Sequence, residues 1–414
     1  MSHPNPLSLV ERPSHVPPNR VVYFDLFDIP GADEDLALAY RAFQQDHPDI
    51  FWTPLNGGHW VATRAEDIEI MHRDYARFSQ RRVAIPKSPD NVPAAIPLES
   101  DPPLHTDLRR PLTKALATAA IAALEPKIRE LTVTLIDRIK DQGECDFVSE
   151  FAGILPIMVF LDLVDLPRDD SSVLVPMAHR MVRGQTAEAR TKAQAELAAY
   201  LTEIVRQRRA NPGADLFSQI VGIDVAGERI TEADAVAYAT LLLLAGLDTT
   251  VSGLALLMRF LATHENHRRQ LVDRLEDKAF LRQAIEELFR HIGVANSGRE
   301  IAYDFAYKGI CFKKGEMILM PNMLLGLDER RVQDPLTIDF ARKSPTSHAI
   351  FGGGPHVCAG SVLARREFQI VLEEWLTRIP DFAIKPGTRA VVATGMVNAV
   401  LRMEITWPSA SATG

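Results

Sequence analysis

Residues 351–360 read FGGGPHVCAG, so four glycines and a proline surround Cys358. A run with helical character, SVLARREFQIVLEEWL, begins at residue 361, directly after this stretch. The chain has only 3 cysteines in 414 residues, and their wide spacing argues against a disulfide framework. A stiff and crowded turn around one cysteine therefore calls for a specific role of its thiol. We call residues 351–360 the cysteine loop.

The residues alone leave four interpretations of Cys358 open. It is a small buried hydrophobe in a turn, a structural zinc ligand, a catalytic thiol paired with His356, or a thiolate ligand to haem iron. Zinc is disfavoured because Cys145 and Cys311 have no neighbouring ligands at short spacing. The haem interpretation uses every residue of the loop. A following helix N-terminus favours the thiolate, glycines let the backbone approach a flat group, and His356 would bind an acidic group at its edge.

The longest apolar run is residues 235–262, AVAYATLLLLAGLDTTVSGLALLMRFLA. It is long enough to span a membrane, but Asp248 lies in its middle, and a lone carboxylate at that depth is costly. We therefore predict a buried central helix, which starts at a capping box formed by Thr231 and Asp234. At 1.5 Å per residue, residues 231–262 would extend over about 48 Å.

Composition and charge are those of a soluble globular protein. Hydrophobic residues make up 46% and charged residues 24%, and a net charge of −8 argues against non-specific nucleic-acid binding. The first 20 residues are polar and proline-rich and lack the apolar core of a signal peptide, and residues 1–30 read as an irregular leader. We therefore expect a cytoplasmic protein without a membrane anchor.

Helical patterns dominate the chain. Residues 104–210 read as helical almost throughout, with breaks at Pro156 and Pro167. Strand patterns cluster at residues 51–64, around Asn-Gly-Gly, and at residues 299–320, and short strands return near the C-terminus. Residues 322–350 read as irregular. No linker is visible, so we predict one mainly α-helical (α+β) domain with small β-sheet patches over residues 1–414.

The cysteine loop follows the pattern Phe-Gly-x-Gly-x-His-x-Cys-x-Gly, which resembles the haem-binding signature of cytochrome P450 enzymes. This ten-residue pattern is highly specific. The resemblance implies the P450 fold, a triangular prism with haem b between the long central helix and the cysteine loop, and a Cys358 thiolate as axial ligand. It also implies haem contacts by Phe351, Gly352, Gly360, Ala245 and Gly246.

Residues 245–250, AGLDTT, match the acid–alcohol pair of that family on its central helix. The hydroxyl of Thr249 can bond the carbonyl one turn back, which loosens the helical ladder, and Gly246 adds local freedom. We therefore predict a groove or bulge that admits O2 and water. Asp248 would relay protons from solvent, and Thr249 would deliver them at the haem.

Two further sets of charged residues match the family in chain order. Glu287 and Arg290 form Glu-x-x-Arg, a pattern that recurs elsewhere in the chain and is chosen here by position. Arg342 resembles the third member of the buried Glu–Arg–Arg cluster that braces the segment before the cysteine loop. The implied ligands of the haem carboxylates are His105, Arg109, Arg299 and His356. The first two lie one helical turn apart, and arginine suits carboxylates.

Four segments, NGGHWVATR (56–64), GLDER (326–330), LARRE (363–367) and EWLTRIPDF (374–382), resemble the bacterial camphor 5-monooxygenase subfamily. That subfamily carries aromatic residues, including a tyrosine that bonds the substrate ketone, on the loop before an Asp-Pro-Pro turn. Here that loop, residues 83–103, which we call the proline loop, contains no Tyr, Phe or Trp.

The aromatic positions of the subfamily fall at Ala84, Pro93 and Ala95. The other pocket positions are apolar: Leu241, Leu244, Val294, Ala295, Met396 and Val397. A larger apolar pocket predicts a cyclic terpenoid or norisoprenoid, or an aromatic hydrocarbon, in place of camphor.

The resemblance as a whole implies a soluble, monomeric, class I bacterial haem-thiolate monooxygenase that inserts one atom of O2 into an unactivated C–H bond. No G-x-G-x-x-G follows a predicted strand, so we expect electrons from a separate partner. The resemblance implies that this partner is a [2Fe–2S] ferredoxin with its NADH-dependent reductase. Lys343 and Arg365 are candidate ferredoxin contacts, although plain solvated charges explain them equally well. The alternatives are a peroxide-driven peroxygenase and a non-catalytic haem protein that binds a gas. The Asp248–Thr249 pair counts against both.

Overall fold

The computed structural model describes residues 9–183, 187–225, 227–342 and 347–408. The α-helices are α1 (Leu36–Asp46), α2 (Ala65–Arg73), α3 (Leu104–Ala115), α4 (Thr118–Ile139), α5 (Leu155–Leu163), α6 (Ser171–Arg183), α7 (Ala187–Ala210), α8 (Leu216–Val221), α9 (Glu232–Thr263), α10 (Glu265–Asp273), α11 (Lys278–His291), α12 (Met323–Leu327) and α13 (Ser361–Arg378). The strands are β1 (Ile50–Thr53), β2 (His59–Ala62), β3 (Phe78–Ser79), β4 (Glu144–Asp146), β5 (Asp224–Val225), β6 (Glu228–Arg229), β7 (Asn296–Ile301), β8 (Phe305–Tyr307), β9 (Ile310–Phe312), β10 (Met317–Pro321), β11 (Ala383–Ile384), β12 (Val391–Ala393), β13 (Ala399–Arg402) and β14 (Glu404–Thr406). The predicted class, mainly helical with small sheets, is confirmed.

These elements fall into two compact units that are discontinuous in sequence. The first unit takes the chain up to Val92, Ala255–Cys358 and Pro386–Met403, and the second takes Pro93–Leu254, Ala359–Lys385 and the chain from Glu404 onward. Because the chain passes between the units several times, neither is a segment set off by a linker. The single domain over residues 1–414 stays a prediction.

The first unit contains a five-stranded sheet in the order β1-β2-β10-β7-β3. β1 and β2 form the predicted hairpin, whose turn at Asn56, Gly57 and Gly58 has positive φ throughout. β10 runs parallel to β2 and antiparallel to β7. This arrangement places two residues important below: Arg299 within β7 and Asn322 directly after β10.

The second unit is mostly helical, and its apolar core draws on α3, α5, α8 and α9. Within it, the fully buried Tyr238 donates from its hydroxyl to the Leu108 carbonyl at 2.6 Å. Aromatic packing of Phe147 and Phe151 against Trp375, with ring centroids 5.2 Å apart in both cases, adds a contact between the segment before α5 and α13.

The prediction of nearly continuous helix over residues 104–210 was wrong at one point. The chain leaves α4 at Gly143, which has φ 77°, and enters β4, which pairs with β14 near the C-terminus. Pro156 does not break a helix but lies in the first turn of α5, where its missing N–H is not needed. The supposedly irregular residues 322–350 also contain a short helix, α12.

The predicted central helix is α9, and Thr231 caps it as expected. The Asp234 N–H donates to Thr231 Oγ1 at 3.0 Å, and that hydroxyl donates to Asp234 Oδ2 at 2.7 Å. Among the helices that the structure describes, α9 is the one with the length and hydropathy of a membrane span. A core helix passes the same test, and Leu254, Leu257 and Leu261 are fully buried.

Candidate active site

The cysteine loop is closed on itself and exposes its thiol. The Cys358 N–H donates to the Phe351 carbonyl at 2.8 Å, across a 3-10 turn at Gly354–His356. The Cys358 side chain is exposed, and α13 begins at Ser361 with Gly360 as its N-cap residue. The predicted order of turn, cysteine and helix N-terminus is therefore what the structure contains.

Two glycines of this loop are fixed by a protein neighbour. Gly354 has φ +63°, and a Cβ there would lie 2.1 Å from the His72 carbonyl oxygen of α2. At Gly353 a Cβ would lie 3.1 Å from the His72 Cβ. The sequence argument assigned the loop glycines to close approach of haem. For Gly353 and Gly354 the structure gives a further reason for glycine, because their backbone packs against the end of α2.

His72 also makes the polar contact that the sequence argument missed. Arg299 Nη2 donates to His72 Nδ1 at 3.0 Å, and His72 Nε2 donates to Asn322 Oδ1 at 3.1 Å. All three side chains are about 3% exposed or less. Burial and the Arg299 charge lower the pKa of His72 to about 3. The only signal in the sequence was a histidine on the buried face of α2, one turn after Ile68.

The Glu–Arg–Arg cluster lies together as the spacing suggested. Glu287 accepts from Arg290 Nη2 at 2.8 Å and from Arg342 Nε at 3.0 Å. Arg290 also donates to the carbonyls of Gly326 at 2.9 Å and Pro335 at 2.6 Å. Burial would raise the pKa of Glu287, but the hydrogen bond and charge of Arg290, with help from Arg342, hold that pKa below its ordinary value. The cluster therefore ties α11 to the chain that leads into the cysteine loop.

His105 and Arg109 lie on α3 one turn apart, as predicted. His105 is 3% exposed, and Arg109 is half-buried. Burial and the nearby Arg109 charge lower the pKa of His105 to about 4. His105 is therefore neutral near pH 7, and Arg109 carries the positive charge of this pair.

The acid–alcohol pair lies where α9 is only half-buried. Thr249 Oγ1 donates to the Ala245 carbonyl at 2.7 Å, which is the bond that we expected. Asp248 and Gly246 are half-buried, whereas Ala245 is exposed. The predicted bulge is wrong: α9 is regular α-helix from Glu232 to Thr263, because the hydroxyl shares the carbonyl without displacing the backbone N–H.

Four of the predicted pocket residues are brought together in the first unit. Ala295 and Val397 form an isolated antiparallel bridge, the Asn296 N–H donates to the Met396 carbonyl at 2.9 Å, and the Asn398 N–H donates to that of Val294 at 2.7 Å. Leu241 and Leu244 are half-buried on α9, Ala84 and Ala95 are half-buried on the proline loop, and Pro93 is exposed.

A buried polar network joins residues 293–298 to residues 395–398. The Tyr40 hydroxyl donates to Asn398 Oδ1 at 3.0 Å and accepts from Asn296 Nδ2 at 2.9 Å. Asn398 Nδ2 donates to the Gly293 carbonyl at 3.0 Å. Tyr40 and Asn398 are fully buried, so residues 293–298 and 395–398 are held as a single wall.

Comparison with known proteins gives the class. A family model described as "Cytochrome P450" matches residues 161–390. Probable cytochrome P450 127A1 of Sinorhizobium fredii is 34% identical over 404 residues, which are 95% of this chain and 96% of the relative. Mycinamicin IV hydroxylase/epoxidase of Micromonospora griseorubida is 31% identical, over 90% of this chain and 96% of its own.

Two solved structures are similar to this chain over nearly all of its length. The crystal structure of CYP101J2 has a TM-score of 0.87 and 33% identity, and covers 96% of this chain and 100% of its own. That of cytochrome P450 CYP101C1 has the same TM-score and coverage with 32% identity. The chain thus belongs to the cytochrome P450 family and is an oxidoreductase of the monooxygenase class. Within the family, it is a bacterial member related to the camphor-type CYP101 enzymes.

The family cofactor is haem b with a cysteine thiolate as axial ligand. The described residues fit that group. In the first unit, the exposed thiol of Cys358 is a soft donor for iron, and the buried Arg299 guanidinium suits a carboxylate.

Proposed function

We propose that Cys358 is the axial ligand and that the protein inserts one atom of O2 into an unactivated C–H bond of a small apolar substrate. The observation that carries this proposal is the exposed Cys358 thiol, on a loop closed by its own N–H and followed by the N-terminus of α13. The bound haem thiolate supplies cleavage of the O–O bond. The absorption spectrum of the reduced, CO-bound protein tests the assignment, because a thiolate and a neutral ligand give different bands.

The proposal assigns the haem carboxylates to the cationic groups His105, Arg109, Arg299 and His356. Because His105 has a lowered pKa, it would act as a neutral N–H donor, whereas Arg109 and Arg299 would supply charge. Phe351, Gly352, Gly360, Ala245 and Gly246 would line the ring. The Glu287, Arg290 and Arg342 cluster would hold the segment before the cysteine loop in place.

Asp248 and Thr249 are proposed to deliver protons. Both side chains are polar and half-buried, and they lie in the middle of the apolar run at residues 235–262. The Thr249 hydroxyl donates its own proton to Ala245, so its oxygen retains lone pairs that accept a proton donor such as water. Thr249→Ala should therefore lower product formed per electron consumed, and Thr249→Ser should restore it.

Thr250→Ala is the matched control, because Thr250 is the neighbouring, equally half-buried threonine. Full coupling in Thr249→Ala would contradict the assignment.

Turnover assays also separate the monooxygenase from the two alternative functions. A peroxygenase would turn over with peroxide better than with NADH and redox partners, and a gas-binding protein would turn over with neither.

The proposed substrate is a cyclic terpenoid or norisoprenoid, or an aromatic hydrocarbon. Support comes from the aliphatic residues at Ala84, Pro93 and Ala95 and from the apolar wall formed by Val294, Ala295, Met396 and Val397. A spin-state titration over a panel of such compounds, with camphor included, tests it. Tight camphor binding with fully coupled oxidation would contradict the proposal.

Electrons are proposed to come from a [2Fe–2S] ferredoxin and its NADH-dependent reductase, in a soluble, monomeric, cytoplasmic protein. Arg365 on α13 is half-buried, with Nη1 donating to the Ser361 carbonyl at 3.4 Å. The other candidate contact, Lys343, lies outside the described residues. Arg365→Glu should slow reduction by an acidic ferredoxin, with a weaker salt dependence than the wild type shows. Unchanged kinetics would remove Arg365 from the interface.

A further inference from the structure

His72 lies between two parts of the proposed haem site. On one side its imidazole Nδ1 accepts from Arg299 at 3.0 Å. On the other side its backbone and Cβ contact the cysteine loop at Gly353 and Gly354, so closely that neither glycine has room for a side chain without a shift. A single residue of α2 thus contacts both the guanidinium and the loop that carries the thiol.

The hydrogen-bond chain fixes the tautomer of His72. Arginine has donors only, so Nδ1 must be the unprotonated nitrogen that accepts from Arg299. Nε2 then carries the proton and donates to Asn322 Oδ1 at 3.1 Å, and Asn322 Nδ2 donates to Ser297 Oγ at 3.0 Å. These three bonds run in one direction, from donor to acceptor, and a connected buried network of this kind favours one geometry.

The sheet supplies the other half of the arrangement. Arg299 is paired with Ile318 across β7 and β10, and Asn322 follows β10 directly. Backbone pairing therefore fixes the Cα positions of both His72 partners, while the long Arg299 side chain needs a separate contact to settle its guanidinium. His72 provides such a contact from α2 to Nη2, in addition to the Gly298 carbonyl, which accepts from Nη1 at 2.8 Å.

We propose that His72 is a positioning residue that holds the Arg299 guanidinium toward a haem carboxylate. This inference rests on the proposed function, in which Arg299 binds that carboxylate. A guanidinium released from His72 would compensate the carboxylate charge less well. The ferric state, which carries one more positive charge than the ferrous state, would then be favoured.

Two substitutions test the roles of the two imidazole nitrogens of His72 separately. His72→Asn keeps an acceptor at the position of Nδ1, and His72→Gln places its amide near the position of Nε2 and removes the acceptor. We expect His72→Gln to lower the ferrous-to-ferric ratio at a fixed applied potential by about tenfold, which corresponds to about 59 mV for a one-electron couple. His72→Asn should stay within about twofold of the wild type.

The measurement is spectroelectrochemical titration of the purified haem protein, with haem release to an excess of an apoprotein acceptor as a second readout. Glu69→Gln is the control on the same helix, since Glu69 is half-buried and makes an ion pair with Arg331 at 3.1 Å. If His72→Gln does not fold, Asn322→Ala is the alternative. It removes the acceptor of the His72 Nε2 proton, so that the imidazole can adopt the other tautomer. The ferrous-to-ferric ratio should then fall, but by less than in His72→Gln.

Equal potentials in His72→Gln and the wild type, with a shift in Arg299→Gln, would overturn the role of His72 and leave the proposed function intact. Equal shifts in His72→Asn and His72→Gln would reduce His72 to a packing residue and also overturn it. A wild-type protein whose CO-bound spectrum lacks the thiolate band would instead overturn the proposed function itself.

Discussion

The cysteine loop and the proline loop are both rich in residues that restrict the backbone, yet they are held in different ways. In the cysteine loop, the backbone at Gly354 lies so close to α2 that an added Cβ would be 2.1 Å from the His72 carbonyl oxygen. The start of the proline loop is also close to its neighbour, since a Cβ at Gly298 would be 2.1 Å from the Val83 carbonyl oxygen. Over residues 89–100, however, the bonds of the proline loop are local, such as that from the Glu99 N–H to the Ala95 carbonyl at 2.8 Å. Its Val92 and Leu98 side chains are 42% and 37% exposed.

This difference indicates how one fold keeps its chemistry while its substrate changes. A loop that packs backbone against backbone tolerates no added atom, so the geometry around the thiol stays fixed. A loop held by local turns with exposed side chains accepts replacements at little cost to stability. The predictions that follow test this contrast, from the largest expected effect to the smallest.

Cys358→Ser should abolish monooxygenase activity, with a loss greater than about a thousandfold, because the thiolate that drives O–O cleavage is removed. The CO-bound spectrum should lose its thiolate band at the same time. Cys311→Ser, at an exposed cysteine of β9, is the control and should leave both unchanged. A thiolate-type band in Cys358→Ser would assign the ligand elsewhere.

Glu287→Gln should lower the free energy of unfolding by about 3–5 kcal/mol, because it leaves the Arg290 guanidinium buried without its anion. The pKa of Glu287 is lower in the folded protein than in the unfolded chain. Its contribution is therefore complete above the unfolded pKa and is lost as pH falls through the folded pKa.

Urea unfolding at several pH values measures both effects, and the gap between wild type and Glu287→Gln should close on acidification. Glu265→Gln, in an exposed i,i+4 pair with Arg269, is the control and should cost far less. A gap that stayed constant down to acid pH would mean that the carboxylate charge is not what stabilises the cluster.

Gly354→Ala should destabilise the fold by about 3 kcal/mol, since the left-handed backbone and the contact with His72 both oppose a Cβ. Gly309→Ala is the matched control. Gly309 has φ +75° but no heavy atom within 4 Å of a built Cβ, so only the backbone cost of about 1 kcal/mol applies. Equal losses in the two variants, measured by urea unfolding, would show that the α2 contact is unimportant.

Ala95→Tyr in the proline loop should change stability by less than about 1 kcal/mol. It should weaken binding of the larger panel compounds by about tenfold, because a ring would fill part of the proposed pocket. Spin-state titration measures this, and Ala94→Tyr at the neighbouring half-buried position serves as control. Unchanged binding in Ala95→Tyr would place Ala95 outside the pocket.

Short-range features of this chain were predictable from sequence, because the residues that make them are neighbours. The α9 capping box, the bond from Thr249 to Ala245 and the Glu287–Arg290 contact each join residues within one turn of helix. The motif order and the resemblance to P450 enzymes supplied the rest of the candidate site.

Long-range contacts were not predictable in the same way. His72 and Arg299 are 227 residues apart, and nothing in either local pattern signals the other. β4 has only three residues and gains its partner, β14, from the far end of the chain. The contact that leaves no room for a Cβ at position 354 likewise comes from the backbone of α2, and the loop pattern alone did not indicate it.

The network of Tyr40, Asn296 and Asn398 has a consequence for altering the enzyme. Because residues 293–298 and 395–398 are held together by buried amide and hydroxyl groups, we expect a change of volume at Val294 or Ala295 to shift Met396 and Val397. Substitutions on the two segments should then be non-additive. Laboratory evolution of selectivity would progress faster through libraries that randomise both segments together than through single-site scanning.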